Sequence, residues 1–244
     1  MVQADFALIG GTGIGERLAA WGGAPVAIPT PFGLARGRII EREGLRLLAI
    51  QRHAKGHRLP PHRVPYAAMA TALARIGVKG CISSAAVGCL RPEWPVGTLV
   101  VCQDFLDLSG RRITLFADRV QHAPMAEALA LSSHLESAAH QLEIPVQTGA
   151  VYLNLDGPRY ESSAEIRMMK GLGADLVGMT AGSEAICFAE AGVPYGCLAV
   201  VTNLAEGLSD APIAHHAVTD VMKEQGETVL NLMIAAAQRV VDGV

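Results

Sequence analysis

The chain has 244 residues, 50% of them hydrophobic and 18% charged, which gives ample length to bury a core and excludes a disordered polymer. Twenty Lys and Arg stand against 23 Asp and Glu, and the net charge of −3 excludes the broad positive field that nucleic acid or an anionic membrane would require. With 5% aromatic residues and few charges, the composition fits a chain whose apolar surface is partly covered by a sister subunit.

Met1 to Asp5 lacks a basic stretch followed by an apolar core, so no signal peptide is expected. Phe6 to Ile9 is a short apolar run entering Gly10-Gly11-Thr12-Gly13, a strand leading into a tight turn. Pro25 to Thr30 and Leu45 to Ile50 read as further strands, the latter closed by Gln51-Arg52-His53. Tyr66 to Ile76 has helical spacing and small residues, with Gly77 as its stop. Gly80 to Ser84 and Thr98 to Phe105 look like buried strands, Met125 to Leu142 like a helix with one apolar face, and Val146 to Leu155 like another strand. Ser163 to Leu172 is a helix ending at Gly173. Asp175 to Met179 and Tyr195 to Thr202 are strands around the helix Glu184 to Ala191, and Val218 to Val241 is a long C-terminal helix.

Strands alternating with helices predict an α/β sheet with helices on its faces. No linker or composition shift divides residues 1–244, so one domain is expected. Apolar runs break on charge or proline, as at Glu190 and Pro194, before membrane-spanning length. The five cysteines show no CxxC spacing and read as buried free thiols in a reducing cytoplasm.

In open α/β sheets ligands gather at strand C-termini. There Gly10-Gly11-Thr12-Gly13 can wrap an anion with converging N–H groups and a hydroxyl, although a plain tight turn fits the same residues. The run fails the dinucleotide pattern, since Glu16 stands where GxGxxG needs glycine, and it has no Gly-Lys-Ser/Thr. Arg52-His53 ends one strand, where a guanidinium can grip phosphate in bidentate fashion. Ser83-Ser84-Ala85-Ala86-Val87-Gly88 ends another with hydroxyls and a small-residue turn, and Met179-Thr180 a third. Together they predict a phosphate or similar oxyanion site. No Asp/Glu/His metal spacing accompanies it, so no metal is expected. Tyr160-Glu161 with Asn203 offers an aromatic face, an acceptor and an amide, a set able to read the edge of a purine.

Taken with Thr30-Pro31-Phe32-Gly33, His122-Ala123-Pro124-Met125-Ala126-Glu127, Gly157-Pro158-Arg159, Gly178-Met179-Thr180 and Glu184, the chain resembles the trimeric purine nucleoside phosphorylase family, in its methylthioadenosine and methylthioinosine phosphorylase branch. The segments occur in family order across nearly the whole chain. The resemblance implies a central mixed, partly barrel-like sheet flanked by helices, a homotrimer, and reversible phosphorolysis with phosphate as co-substrate and no cofactor. It assigns Thr12, Arg52, His53, Ser84, Ala85 and Thr180 to phosphate, Met179 to the ribose and Tyr160 to the base. His122 would come from the neighbouring subunit to close the pocket over the 5′ substituent. Asn203, Arg52 and His53 would be the catalytic residues, because bound phosphate stabilises a ribosyl cation-like state while a donor meets charge growing on the purine.

Departures bear on the substrate. Adenine-specific relatives present a carboxylate where Asn203 stands, and a second acid where Ala205 stands. Val201-Thr202-Asn203 and Glu161 resemble 6-oxopurine phosphorylases instead: Glu161 can accept from N1–H, and Asn203 can donate to O6 or N7. His122-Ala123-Pro124-Met125 matches the methylthio branch, whereas His215 could match a histidine that meets a 5′-hydroxyl. The expected substrate is therefore 5′-methylthioinosine, with inosine or guanosine next and methylthioadenosine as a further alternative. Two different classes compete. A nicotinamide-dependent reductase lacks its Tyr-x-x-x-Lys pair, and a non-catalytic nucleoside-binding protein is kept open by Ala181-Gly182-Ser183, where the family has Thr-Val-Pro before Glu184.

Overall fold

The computed structural model describes residues 2–209 and 215–244. Its strands are β1 (Phe6–Gly10), β2 (Ala24–Thr30), β3 (Gly33–Arg42), β4 (Leu45–Gln51), β5 (Cys81–Cys89), β6 (Leu99–Asp107), β7 (Val146–Asn154), β8 (Leu176–Gly178) and β9 (Tyr195–Leu204). The helices are α1 (Ile14–Ala20), α2 (Tyr66–Ile76), α3 (Ser132–Gln141), α4 (Ser163–Gly171), α5 (Ala181–Ala191) and α6 (His215–Asp242).

The strands form one mixed sheet in the order β2-β3-β4-β1-β5-β8-β7-β6-β9. Because β5 also pairs with β9, its last five members close on themselves, giving the expected partly barrel-like sheet. β1 runs parallel to both β4 and β5, which brings their C-terminal ends to one edge of the barrel. Side chains alternate across this wall. Ala7 and Ile9 face the core under α2 and α5, with Met69, Leu73 and Phe188, while Phe6 and Leu8 face the core under α1, α3 and α6, with Leu18, Leu135 and Met233.

Several elements differ from the sequence expectation. β3 and α1 were not anticipated. β3 is folded back on β2 by a tight turn in which the Thr30 hydroxyl donates to the Gly33 carbonyl at 2.7 Å and accepts from the Phe32 N–H at 3.1 Å. The helix expected from Met125 begins only at Ser132. Before it, Ala128 and Ala130 donate to carbonyls three residues back, and the Leu131 N–H leaves the segment to reach the Tyr195 carbonyl. β5 continues as strand past Ser84 to Cys89, since pairing with β9 carries it through a register shift at Val87/Gly88. α5 starts at Ala181, ahead of Glu184. Gly77 ends α2 with φ of +70°, in the left-handed conformation that glycine adopts without strain. All five cysteines are free and buried. No helix among the described residues is long and apolar enough to cross a membrane.

Candidate active site

Parallel pairing of β1 with β4 sets Gly10 beside Gln51, so the loop after β1 lies over the residues that follow β4. The Arg52 N–H donates to the Gly10 carbonyl at 3.0 Å. The Arg52 side chain runs beneath Gly11, where an added Cβ would collide with Nη1 and lie 3.0 Å from the Ser84 carbonyl. The glycine at 11 is therefore a matter of space. Its N–H is taken by the Ser84 hydroxyl at 3.2 Å.

Arg52 is buried, and its guanidinium is shared among three acceptors. Nε and Nη2 donate to the two Glu184 oxygens at 2.6 and 2.8 Å, and Nη1 donates to the Ser84 carbonyl at 2.8 Å. Burial works against the Arg52 charge, but Glu184 overrides it and holds the guanidinium protonated. Glu184 also accepts from the Tyr195 hydroxyl at 2.8 Å, and Ser83 meets that hydroxyl at 2.6 Å. Glu184 thus fixes its surroundings and is fully buried. His53 is buried next to Arg52. Its Nδ1 lies 2.8 Å from the Leu59 carbonyl and its ring stacks on His57 at 4.2 Å. Burial first, then the Arg52 charge, pushes the imidazole down to about 3.

The start of α5 is anchored by two buried side chains of β7. The Tyr152 hydroxyl accepts from the N–H groups of Thr180 and Ala181 at 3.2 and 3.3 Å. Asn154 accepts from the Gly182 N–H and donates to the Ser183 hydroxyl, both at 3.2 Å. A Cβ on Gly182 would sit 2.5 Å from the Asn154 Cβ. Ala181-Gly182-Ser183 therefore packs as a coherent alternative to Thr-Val-Pro, with Thr180 and Glu184 in place. The Thr180 side chain makes no cap to its own helix.

Farther along β5, Gly88 pairs with Asn203 of β9. The Asn203 amide is oriented locally: Nδ2 donates to the Leu204 carbonyl at 2.9 Å, and Oδ1 accepts from the Thr202 hydroxyl at 3.0 Å. One Nδ2 hydrogen is left for a further acceptor. Glu161 is only 7% exposed. Burial pushes its carboxyl up, with Glu165 and Glu206 adding to the effect and Arg159 opposing it.

These residues line one cavity of about 520 Å³, which brings together Thr12, Arg52, His53 and Thr180 with Glu161 and Asn203. Tyr160, Met179 and Ala205 line it too. Ser84 and Ala85 are buried and are not among the residues lining this cavity; Ser84 is tied to it through its bonds to Gly11 and Arg52, whereas Ala85 packs in the core. Ala205 belongs to a small apolar cluster with Leu90, Ile166 and Val177, surroundings that disfavour the second acid of adenine-specific relatives. His122 is exposed, on a segment whose residues 117–122 are all exposed, and is not among the residues lining this cavity. The side chain of His215 lies outside the described residues. Sequence reasoning missed Val87, Thr202 and Pro158 as lining residues, and placed Gly88 in a turn when it lies within β5. The signal for Gly88 was its lack of a side chain, since a Cβ there would press to 3.3 Å from Asn203 Nδ2. Among the described residues no group of three or more His, Cys, Asp or Glu is arranged to hold a metal ion.

This geometry and the comparisons with known proteins agree on the class. The phosphorylase superfamily matches residues 5–238, and the chain belongs to it. The chain is 35% identical, over 94% of its length and 91% of the relative's, to a probable 6-oxopurine nucleoside phosphorylase of Moorella thermoacetica. It is 38% identical, over 84% of its length and 81% of the relative's, to a probable S-methyl-5′-thioinosine phosphorylase of Methanopyrus kandleri. Among solved structures, a methylthioadenosine phosphorylase from an antarctic soil metagenomic library superposes with a TM-score of 0.86 at 30% identity, covering 99% of this chain and 87% of that one.

Proposed function

We propose that the protein cleaves a 6-oxopurine nucleoside with phosphate, taking S-methyl-5′-thioinosine to hypoxanthine and 5-methylthioribose 1-phosphate. The observation that carries this reading is the pairing of Glu161 with Asn203 in a cavity that also holds Thr12, Arg52, His53 and Thr180. Gly11 and Arg52 bond to Ser84, whereas Asn203 pairs with Gly88. Four residues of strand separate the two levels by about 13 Å, a span suited to phosphate at one end and base at the other.

Phosphate would sit against Thr12, the remaining Arg52 hydrogens, His53 and the Thr180 side chain at the start of α5, where the helix dipole favours an anion. A phosphate oxygen bonds to C1′ as the C1′–N9 bond breaks and its electron pair moves onto the purine. The free Asn203 Nδ2–H stabilises charge at O6 or N7, while Glu161 accepts from N1–H and Tyr160 covers the ring. Phosphate is the co-substrate, and no cofactor enters this scheme. Pro60, Pro61 and Val218 line the same cavity and favour an apolar 5′ substituent. Inosine or guanosine is the second reading, favoured by His57, a polar group on that wall.

We further propose a homotrimer in which His122, exposed in the single chain, reaches the pocket of a neighbouring copy. Five unpaired cysteines suit the reducing cytoplasm, where the reaction would serve purine salvage. Phosphate-dependent release of hypoxanthine from methylthioinosine, measured against inosine and methylthioadenosine, tests the reading. Faster release of adenine would overturn the base assignment, and no release from any of the three would overturn the phosphorylase assignment. Sedimentation of the purified protein tests the trimer.

A further inference from the structure

His53 lines the anion end of the cavity with its tautomer set by geometry. Its Nδ1 lies 2.8 Å from the Leu59 carbonyl, and a carbonyl oxygen only accepts, so Nδ1 carries the ring hydrogen. The groups around the ring are the neighbouring Arg52, the stacked His57 and Arg58 on the same cavity wall. Glu184, the acid of this cluster, is held by Arg52 and Tyr195. Burial and the Arg52 charge oppose a second proton on the imidazole. The Nε2 atom therefore presents a lone pair.

We infer that His53 Nε2 is a hydrogen-bond acceptor that admits oxyanions carrying a hydrogen and discriminates against those without one, so the site takes phosphate or arsenate in preference to sulfate. The inference rests on the reading of this cavity as a phosphorolytic site. Either ionic form of phosphate present near neutrality has an O–H that can donate to Nε2. Sulfate has a similar size and shape but only acceptor oxygens there, and would set one lone pair against another. It can bind well only if His53 first takes a proton from solvent. Sulfate binding is then accompanied by uptake of one proton, whereas phosphate brings its own.

Calorimetric titration of the full-length protein with phosphate, arsenate and sulfate, each alone and over a range of pH, tests this. Near neutrality sulfate should bind at least about tenfold more weakly than phosphate, the worth of one lost hydrogen bond to an anion. Sulfate affinity should rise about tenfold for each unit that pH falls, with proton uptake visible as a dependence on buffer ionisation heat. His53→Asn, which offers an amide donor, should narrow the gap and remove the sulfate pH dependence. Should that variant fail to fold, the slope of the unaltered protein decides alone. Equal affinities with no pH dependence, alongside phosphate-dependent hypoxanthine release, would overturn this inference and leave the phosphorylase reading standing. Binding of neither anion would overturn both.

Discussion

Arg52 and Glu184, 132 residues apart in the chain, form a fully buried bidentate ion pair at the end of the cavity lined by Thr12, His53 and Thr180. With the Ser84 carbonyl on Nη1, three of the five guanidinium hydrogens are already committed. In the proposed reaction Arg52 would therefore meet an incoming anion as a fixed, charge-compensated donor rather than as a mobile cation. Tyr195 and Ser83 extend the restraint from the far side of Glu184. The pair joins the end of β4 to the first turn of α5, so it also ties together two elements that frame the site.

Replacing the acid separates these roles. Glu184→Gln keeps the size of the side chain but leaves the Arg52 charge buried and uncompensated, which should lower stability by about 3–5 kcal/mol. Urea unfolding reads this directly. The KM for phosphate should rise while the KM for nucleoside changes little, because Asn203 and Glu161 are untouched. An unchanged phosphate KM would show that the guanidinium does not need Glu184 to hold its position.

Asn203→Asp tests the base assignment. A carboxylate at 203 accepts from a 6-amino group and repels O6, so release of adenine should gain on release of hypoxanthine by at least about tenfold, one mismatched hydrogen bond being worth about 1–3 kcal/mol. The ratio of kcat/KM values on matched nucleosides measures it. The new acid would face the Leu204 carbonyl that now accepts from Nδ2, so some loss of stability should accompany the change. A ratio unmoved by the substitution would remove Asn203 from base recognition.

If Glu161 reads the base as proposed, it should give the reaction an acid limb. Its carboxyl is raised by burial and by Glu165 and Glu206, and protonation replaces the charged acceptor offered to N1–H with a weaker neutral one. As pH falls, kcat/KM for the 6-oxopurine nucleoside should therefore decline at a higher pH than an ordinary exposed carboxylate would produce. Glu161→Gln should lower kcat/KM at neutral pH and abolish that limb, because its amide does not titrate. A limb that persists in the variant would belong to another group.

Much of this was legible in the sequence because glycine, strand ends and polar punctuation leave local marks. Gly77 stops α2 as expected, and Ser162 with Glu165 caps α4 just where that helix was expected to begin. Thr12, Arg52, His53 and Thr180 each follow an apolar run; parallel pairing of β1 with β4 collects the first three, while Thr180 follows β8, which runs antiparallel to β5. What the sequence hid was long-range. β3 buries only Ala35 and Ile40 and carries charged residues at Arg36, Arg38, Glu41 and Arg42, so its pattern says little until β2 and β4 flank it. The extension of β5 to Cys89 depends on closure of the barrel by β9, which places Gly88 against Asn203. The commitment of Arg52 to Glu184 was likewise invisible, since nothing local to either residue points to the other.

His53 should also leave a mark on stability. Its imidazole is held near 3 in the folded chain against an ordinary value of 6.5, so the unfolded chain takes up the proton first. Stability from this group is complete above 6.5, is lost progressively as pH falls from 6.5 toward 3, and changes no further below that. Calorimetric melting of the unaltered protein should thus show Tm falling through this window more steeply than in His53→Asn, whose side chain does not titrate. Added phosphate should oppose the fall by binding the folded state alone. Parallel Tm profiles for the two proteins would mean that His53 is not held neutral by its burial beside Arg52.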